Sequence, residues 1–558
     1  MDEHLASIWE SIADRLPGEI ALVHGAVRLS WASFEQRAAR FAAALDAAGV
    51  RAGQTVAIDM YNGAEYLEVF FAALKIRAVP ANVNYRYLDD ELCQLLEQSD
   101  AVALVYHAAL RHQVARAAAR TAGLRLLVEV GQADADVPDG GAPASIAPAG
   151  VRQYEELIRA HPPAPRIRRP ASDVFLSFTG GTTGLPKGVE YVIGDSARNT
   201  RVLGRQMLGL DDIDWDGPAL DRAVLLHRQR RRPVALPASP LMHSTGLIMA
   251  SLPVLTAGGT VVTLTARHFD PDELFAAIAA TRPRTVSIVG DAFARPMMRA
   301  LARQAATGRG YDASSLVTIA SAGVAWSADV KRAILEHIPQ VTLVDACGST
   351  EGALIGSMIS RHGMPLSTDR FVPAPGVRIL RADGSDVPAG SAETGMFLVP
   401  TVARGYRNDP ERTSAAFRTV AGQRYVSTGD WGRWNADGTV TLIGRGTSTI
   451  NTGGEKVFPE EVEQLIRGLP GVEDCVVLGL PDERFGQRVA AVVQPQDGFL
   501  EPATVIAAVR HRLAPYKVPR TVVVAPVPRA PNGKVIFAVA RQLLTGGEPA
   551  QPAEHQPG

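Results

Sequence analysis

An α/β architecture of layered helices around largely parallel sheet is the fold class this sequence predicts, and two observations carry it. Helix-like and strand-like stretches alternate repeatedly, and the 558 residues exceed one hydrophobic core, implying about three or four folding units. Phe34 to Leu45 carries apolar residues at helical spacing, broken by Gly49 and Gly53 before the strand-like Thr55 to Ile58. Glu65 to Leu74 is a second amphipathic stretch, followed by a buried-strand candidate at Ala78 to Ala81. Further strands are expected at Thr260 to Leu264, Thr285 to Val289 and Val341 to Val344. Residues 131 to 150, rich in Asp, Gly, Pro and Ala, read as an exposed connection. Beyond about residue 365 the strands shorten and turn signals appear, as in Asn435-Ala436-Asp437-Gly438. A compact last unit, from about 448 to 545, has a helix at Pro459 to Arg467 and strands at Cys475 to Leu478 and Val489 to Val493.

Composition excludes several classes. With 46% hydrophobic and 21% charged residues the chain is neither disordered nor a disulfide scaffold. The net charge of -1 provides no field for nucleic acid or anionic lipid. Cys93, Cys347 and Cys475 lie far apart, without zinc-ligand spacing. No apolar run approaches the roughly 20 residues of a membrane span, and the acidic start reads as no signal peptide, so a cytoplasmic location is expected. The run from Arg228 to Arg232 lacks interleaved aromatics and reads as a solvated loop or a phosphate-facing patch rather than a nucleic-acid site. Only six of the 57 basic residues are Lys: Lys75, Lys187, Lys331, Lys456, Lys517 and Lys534. In a chain that otherwise uses Arg, these positions are expected to favour a compact ammonium over a planar fork.

Six segments carry candidate chemistry. In Phe178 to Val189, FTGGTTGLPKGV, an apolar strand runs into a loop with Thr179, Gly180, Gly181, Thr182, Thr183, Gly184 and Lys187. Glycines let backbone N–H groups converge on an anion, threonines add hydroxyl donors and the lysine adds a point charge. GK[ST] is absent, so this is not a Walker A loop. His243 lies among small residues in PASPLMHSTG. DACGSTEG offers Asp345, Cys347, Gly348, Thr350 and Glu351. Asp430 lies in YVSTGDWGR, Arg445 and Lys456 in IGRGTSTINTGGEKVFPEEVE, and Lys534 on the PRAPNGKV turn. Taken singly, the last five are ordinary turns and loops; it is their order that is informative.

In order and wording, these segments resemble the adenylate-forming superfamily of acyl-CoA synthetases, peptide-synthetase adenylation domains and beetle luciferases, over nearly the whole chain. FTGGTTGLPKGV and GRGTSTINTGGEKVFPEEVE are most similar to actinobacterial fatty-acyl and steroid-side-chain CoA ligases. The resemblance implies a large N-terminal domain of α/β layers plus a distorted β-barrel over 1–443, and a hinge at 444–447. A small mobile α+β lid domain would follow over 448–545, with a disordered tail at 546–558. It implies ATP, Mg2+ and coenzyme A as cofactors and a carboxylic acid as substrate. By the same resemblance, Thr179 to Lys187 would hold the β- and γ-phosphates, Asp345 would meet the adenine amino group beside Cys347 and Gly348, and Thr350 would contact the α-phosphate. Glu351 would bind Mg2+, Asp430 and Arg445 would take the ribose hydroxyls, and His243 would sit between the nucleotide and acyl pockets. Lys534 would bridge carboxylate and α-phosphate, and Thr452, Gly453 and Gly454 would line the pantetheine path.

The chemistry asks for such groups. A carboxylate attacking an α-phosphorus brings two anions together, so cations and donors must offset the repulsion. Carrying Lys534 on a mobile domain would let it withdraw before the thiol arrives. Two departures stand out: Cys347 replaces the usual aromatic wall of the adenine site, and Thr447 holds the hinge position. Two other readings compete: loading of a separate carrier protein, and a non-catalytic nucleotide- or acyl-binding relative. Neither the acid nor the oligomeric state follows from the sequence.

Overall fold

The computed structural model describes residues 4–546 apart from 132–149, 181–185, 309, 324–325, 368–369, 382, 392, 446–449, 458, 497 and 529–534. The described residues divide into two compact units, the first reaching Gly444 and the second taking Arg445 onward, together with Arg86–Leu88. All of the connection expected at 131 to 150 but its two end glycines, the expected hinge beyond Arg445 and all of the expected tail but Gly546 fall outside the described residues.

The first unit is built on two sheets. One has eight strands, with Thr55–Asp59 central and parallel to Val79–Asn82 and Ala101–His107. Val174–Gly180 joins Val79–Asn82 in parallel, and Pro186–Val192 pairs antiparallel with Ala403–Tyr406 at the edge. The other sheet has fourteen strands. Ile20–His24, Thr260–Thr263, Val234–Pro237, Thr285–Ile288, Thr318–Ala322 and Thr342–Ser349 run parallel. The direction then reverses at Ala353–Ser360. These parallel strands are apolar and buried on both faces because helices cover them. Trp31–Ala47, for example, starts where the Ser30 hydroxyl accepts the Ser33 N–H at 3.1 Å, and it buries Phe34, Phe41 and Leu45.

The later, shorter strands do not close on themselves. Arg370–Pro373, Val440–Arg445, Gln423–Trp434, Thr394–Pro400 and Arg378–Leu380 continue the fourteen-stranded sheet as an antiparallel extension. In place of the expected distorted barrel there is, among the described residues, an open path of strands. The α/β layering and the small α+β second unit are as the sequence predicts. That second unit has five strands, with Val472–Asp482 and Gly486–Pro495 as a long hairpin backed by Pro459–Arg467 and Pro502–Arg512. No helix among the described residues is long and apolar enough to cross a membrane.

Candidate active site

Loops that leave the carboxyl ends of parallel strands carry most of the expected site residues, which is where ligands bind in open α/β sheets. Thr179 and Gly180 end one such strand, although only their backbone is described. Gly181, Thr182, Thr183 and Gly184 lie outside the described residues, and Lys187 follows on Pro186–Val192. His243 follows the Val234–Pro237 strand, and Ser349 ends Thr342–Ser349.

Tertiary bonds stitch these loops together. Asn82 accepts the Phe178 N–H at 2.6 Å and donates to the Met242 carbonyl, fixing the start of the Gly/Thr loop beside His243. The Ser177 and Ser244 hydroxyls lie 3.4 Å apart. A π-helical turn, Thr245–Ser251, follows His243, a distortion that often marks functional positions. It requires Gly246: a Cβ there would come within 2.3 Å of the Pro240 carbonyl oxygen.

The Ser349–Gly352 turn is held from the other sheet. Tyr191 donates to the Thr350 carbonyl at 2.6 Å, and its hydroxyl is also within hydrogen-bonding reach of Ser244. Burial and the Glu351 charge push that phenol well above its ordinary range, so it stays a donor. Thr401 donates to the Glu351 carbonyl. Tyr406 donates to Glu351 Oε1 at 3.0 Å, while Lys187 Nζ stands 5.2 Å from the centre of the Tyr406 ring. Lys187, Tyr406 and Glu351 are thus one chain of contacts. Gly352 takes φ +73, and a Cβ on it would meet Thr401 Oγ1 at 3.1 Å.

Asp345 is buried, and its Oδ2 accepts from Lys331 Nζ at 3.0 Å. Burial pushes this carboxyl up and Lys331 holds it down. Cys347, half-buried and outside any disulfide, and Gly348 straddle a β-bulge opposite Gly356 and Leu354, the kind of kink that re-aims side chains near active sites. Asp430 is buried on Gln423–Trp434, four places along the same sheet from the Asp345 strand. Arg445 ends the last strand of that sheet with its side chain outside the description, as is Lys534. In the second unit, Thr452, Gly453 and Gly454 form a tight hairpin. Both glycines have positive φ, +58 and +87, the requirement of a two-residue I′ loop. The basic run is committed locally: Arg231 pairs with Asp212 at 2.6 Å, and Arg232 pairs with Glu19 and donates to the Gly258 carbonyl at 2.8 Å.

Sequence reasoning missed Tyr191, Thr401, Tyr406 and Asn82. Single polar residues in apolar strands carry no local signal, and only strand register reveals them.

The donor set fits a nucleotide arriving with its magnesium. Ser349 Oγ and Thr428 Oγ1, two residues before Asp430, are buried without a hydrogen-bond partner among the described residues, a state that native proteins rarely leave unanswered. No cluster of three His, Cys, Asp or Glu side chains suited to a metal occurs among them. Mg2+ is commonly held by one or two carboxylates plus substrate phosphates, and Glu351 supplies such a carboxylate.

Fold and donor set together are those a nucleotide-dependent enzyme needs. The AMP-binding enzyme family profile matches residues 9–407 and that of the AMP-binding enzyme C-terminal domain matches 461–534, so the chain belongs to the AMP-binding enzyme family. It is 35% identical to the medium/long-chain-fatty-acid–CoA/3-oxocholest-4-en-26-oate–CoA ligase of Mycolicibacterium smegmatis, over 97% of this chain and 96% of that one. It is also 35% identical to the 3-oxocholest-4-en-26-oate–CoA ligase of Rhodococcus rhodochrous, over 98% and 97%. The solved structure of the amide bond synthetase McbA from Marinactinospora thermotolerans shares the fold, with TM-score 0.76 and 24% identity over 97% of this chain and 99% of that one.

Proposed function

We propose that this chain is an ATP-dependent acyl-CoA synthetase. It converts a carboxylic acid of the fatty-acid or steroid side-chain class to an acyl-adenylate and passes the acyl group to CoA. The observation that carries the reading is the continuous contact from Lys187 through Tyr406 to Glu351, tied by Tyr191 to Ser244 beside His243.

We assign the residues as follows. Thr179 to Lys187 bind the β- and γ-phosphates, and Thr350 with the Ser349 hydroxyl donates to the α-phosphate. Asp345 accepts from the adenine amino group, and Cys347 and Gly348 flank the ring. Asp430 and Arg445 hold the ribose. Glu351 would hold Mg2+, which supplies charge neutralisation on the phosphates. Lys534 offsets the repulsion between the attacking carboxylate and the α-phosphate, and the Thr452–Gly454 hairpin borders the pantetheine. His243, next to the π-helical turn, separates the nucleotide from the acyl group.

For the acid, the supporting feature is an apolar cluster of Leu203, Met207, Met249, Ala320, Val344 and Ala346. Alanines present little bulk on the sheet, and unbranched methionines adapt to neighbours of varied shape. The relatives' substrates agree with such an acid. The reaction belongs in the cytoplasm, where ATP and CoA are at hand and where Cys93, Cys347 and Cys475 stay out of disulfides.

The test is incubation with ATP, CoA and a panel of medium-chain, long-chain and steroid-derived acids. Acid-dependent release of AMP and pyrophosphate with a matching acyl-CoA is expected. No AMP with any acid would overturn the reading.

A further inference from the structure

Lys331 is fully enclosed, and its donors are spent inside the protein. Nζ reaches Asp345 Oδ2 at 3.0 Å, the Ser367 carbonyl at 3.4 Å and Met358 Sδ at 3.5 Å, and lies 5.7 Å from the Trp326 ring centre. An ammonium so enclosed cannot touch a ligand itself. Asp345 is different. Its Oδ2 is taken, while its Oδ1 accepts no hydrogen bond from the described residues and is not among the sealed polar atoms, and the side chain keeps 9% of its surface.

We propose that Lys331 is a positioning residue that makes this enzyme choose a 6-amino purine: by pinning one oxygen of Asp345 it keeps the carboxylate acceptor-only and aims the other oxygen outward. This rests on the nucleotide reading above and goes beyond it, because it assigns base selectivity to a residue that meets no ligand. An ionised carboxylate accepts from the amino group of adenine and repels the oxo group at the same position of hypoxanthine, since it has no proton to give. A buried carboxyl that lost its cation would hold its proton and donate instead. Lysine suits the post better than arginine here: three divergent donors fit the acid, the carbonyl and the sulfur, whereas a planar fork would take both carboxylate oxygens side by side. Asp291, the other nearby acid, is occupied by Arg295 at 3.0 Å and by the Ser327 N–H at 2.9 Å.

The experiment compares equilibrium binding of ATP and inosine triphosphate, which differ in the purine 6-substituent and in the N1 proton that the oxo form carries, with steady-state KM and kcat measured alongside. The wild type is expected to prefer ATP by about tenfold or more, the scale of a hydrogen bond to a charged acceptor. Lys331→Met is expected to lose most of that ratio, through weaker ATP and unchanged or tighter inosine triphosphate, in KM more than in kcat. Since a lone buried carboxyl can impair folding, the double variant Lys331→Met with Asp345→Asn provides a neutral pair, checked by its melting temperature. Its amide can accept or donate, and it too should relax the ratio. Parallel loss of both nucleotides at constant ratio in both variants would reduce Lys331 to a structural role and overturn the proposal. Wild-type protein that binds neither nucleotide would instead overturn the nucleotide reading itself, and the proposal with it.

Discussion

Around Lys75 and around Lys331 the protein buries the same chemistry, an ammonium against a carboxylate, yet only one of the two clusters is closed. Lys75 donates to Glu10 and Glu35, each at 2.7 Å. Arg169 adds bonds to both Glu10 oxygens, each at 2.9 Å, so every oxygen of that buried acid is claimed. At Lys331 the acid keeps one oxygen unclaimed among the described residues. A third buried acid marks the limit: Asp59, ending the Thr55–Asp59 strand, has no partner on either oxygen among the described residues. Burial alone pushes it up to about 7. Full pairing makes a buried charge structural, half pairing leaves an acceptor for a ligand, and no pairing makes the group neutral over much of the pH range.

The comparison can be broken at several points. The largest effect is expected at Lys75→Met, which breaks a buried ion pair to Glu35 and takes one of two cations from Glu10, and should cost about 3 kcal/mol. Thermal denaturation checks this, with the ATP to inosine triphosphate ratio expected to stay as in wild type; an unchanged melting temperature would show that the closed network contributes nothing. Next comes Asp59→Asn. The folded state holds the Asp59 proton to about pH 7, while the unfolded chain releases it near pH 4, so burial of Asp59 erodes stability as pH rises across that window. Relative to wild type, the variant should gain about 2–3 kcal/mol between pH 5 and 7 and nothing further above it. Denaturant midpoints at pH 5, 7 and 8 read this out, and a constant offset would count against it.

A smaller effect is expected at Tyr406→Phe. The ring remains below Lys187 while the donor to Glu351 goes, so adenylate formation should fall about five- to tenfold, with more Mg2+ needed for half-maximal rate. Pyrophosphate exchange against Mg2+ concentration measures it, and an unaltered Mg2+ response would remove Tyr406 from the site. The smallest belongs to Arg231→Ala. Its pair with Asp212 is exposed, and surface pairs contribute little, so melting temperature and nucleotide and CoA affinity should match wild type. A loss of CoA affinity would revive the phosphate-facing reading of the basic run.

Much of this was legible beforehand. The helix at Pro459–Arg467 and the strands through Thr55, Thr285 and Leu343 follow from periodicity, because burying one helix stripe or both strand faces imposes a local residue pattern. The Gly453-Gly454 hairpin was not foreseen, although paired glycines at positive φ are the usual chemistry of such a turn. The distorted barrel that the resemblance implied within 1–443 is replaced by an open extension among the described residues: whether short strands close or extend a sheet depends on pairing between distant residues, such as Arg370 with Thr441. The same holds for Lys331, whose scarcity flagged it but whose partner, fourteen residues away on another element, only packing supplies.

By itself, then, the sequence determined the α/β class, the order of the chemical segments and the residue types at the site, since these are fixed by local propensity and by what a phosphate or carboxylate requires. Only the tertiary structure decided that Tyr191 and Tyr406 brace the Glu351 turn, that the antiparallel strands stay open, and that Asp345 shares its charge with a sealed lysine. Hydrogen bonds across sheets and the desolvation of charges depend on neighbours brought together by folding, and no local pattern encodes them.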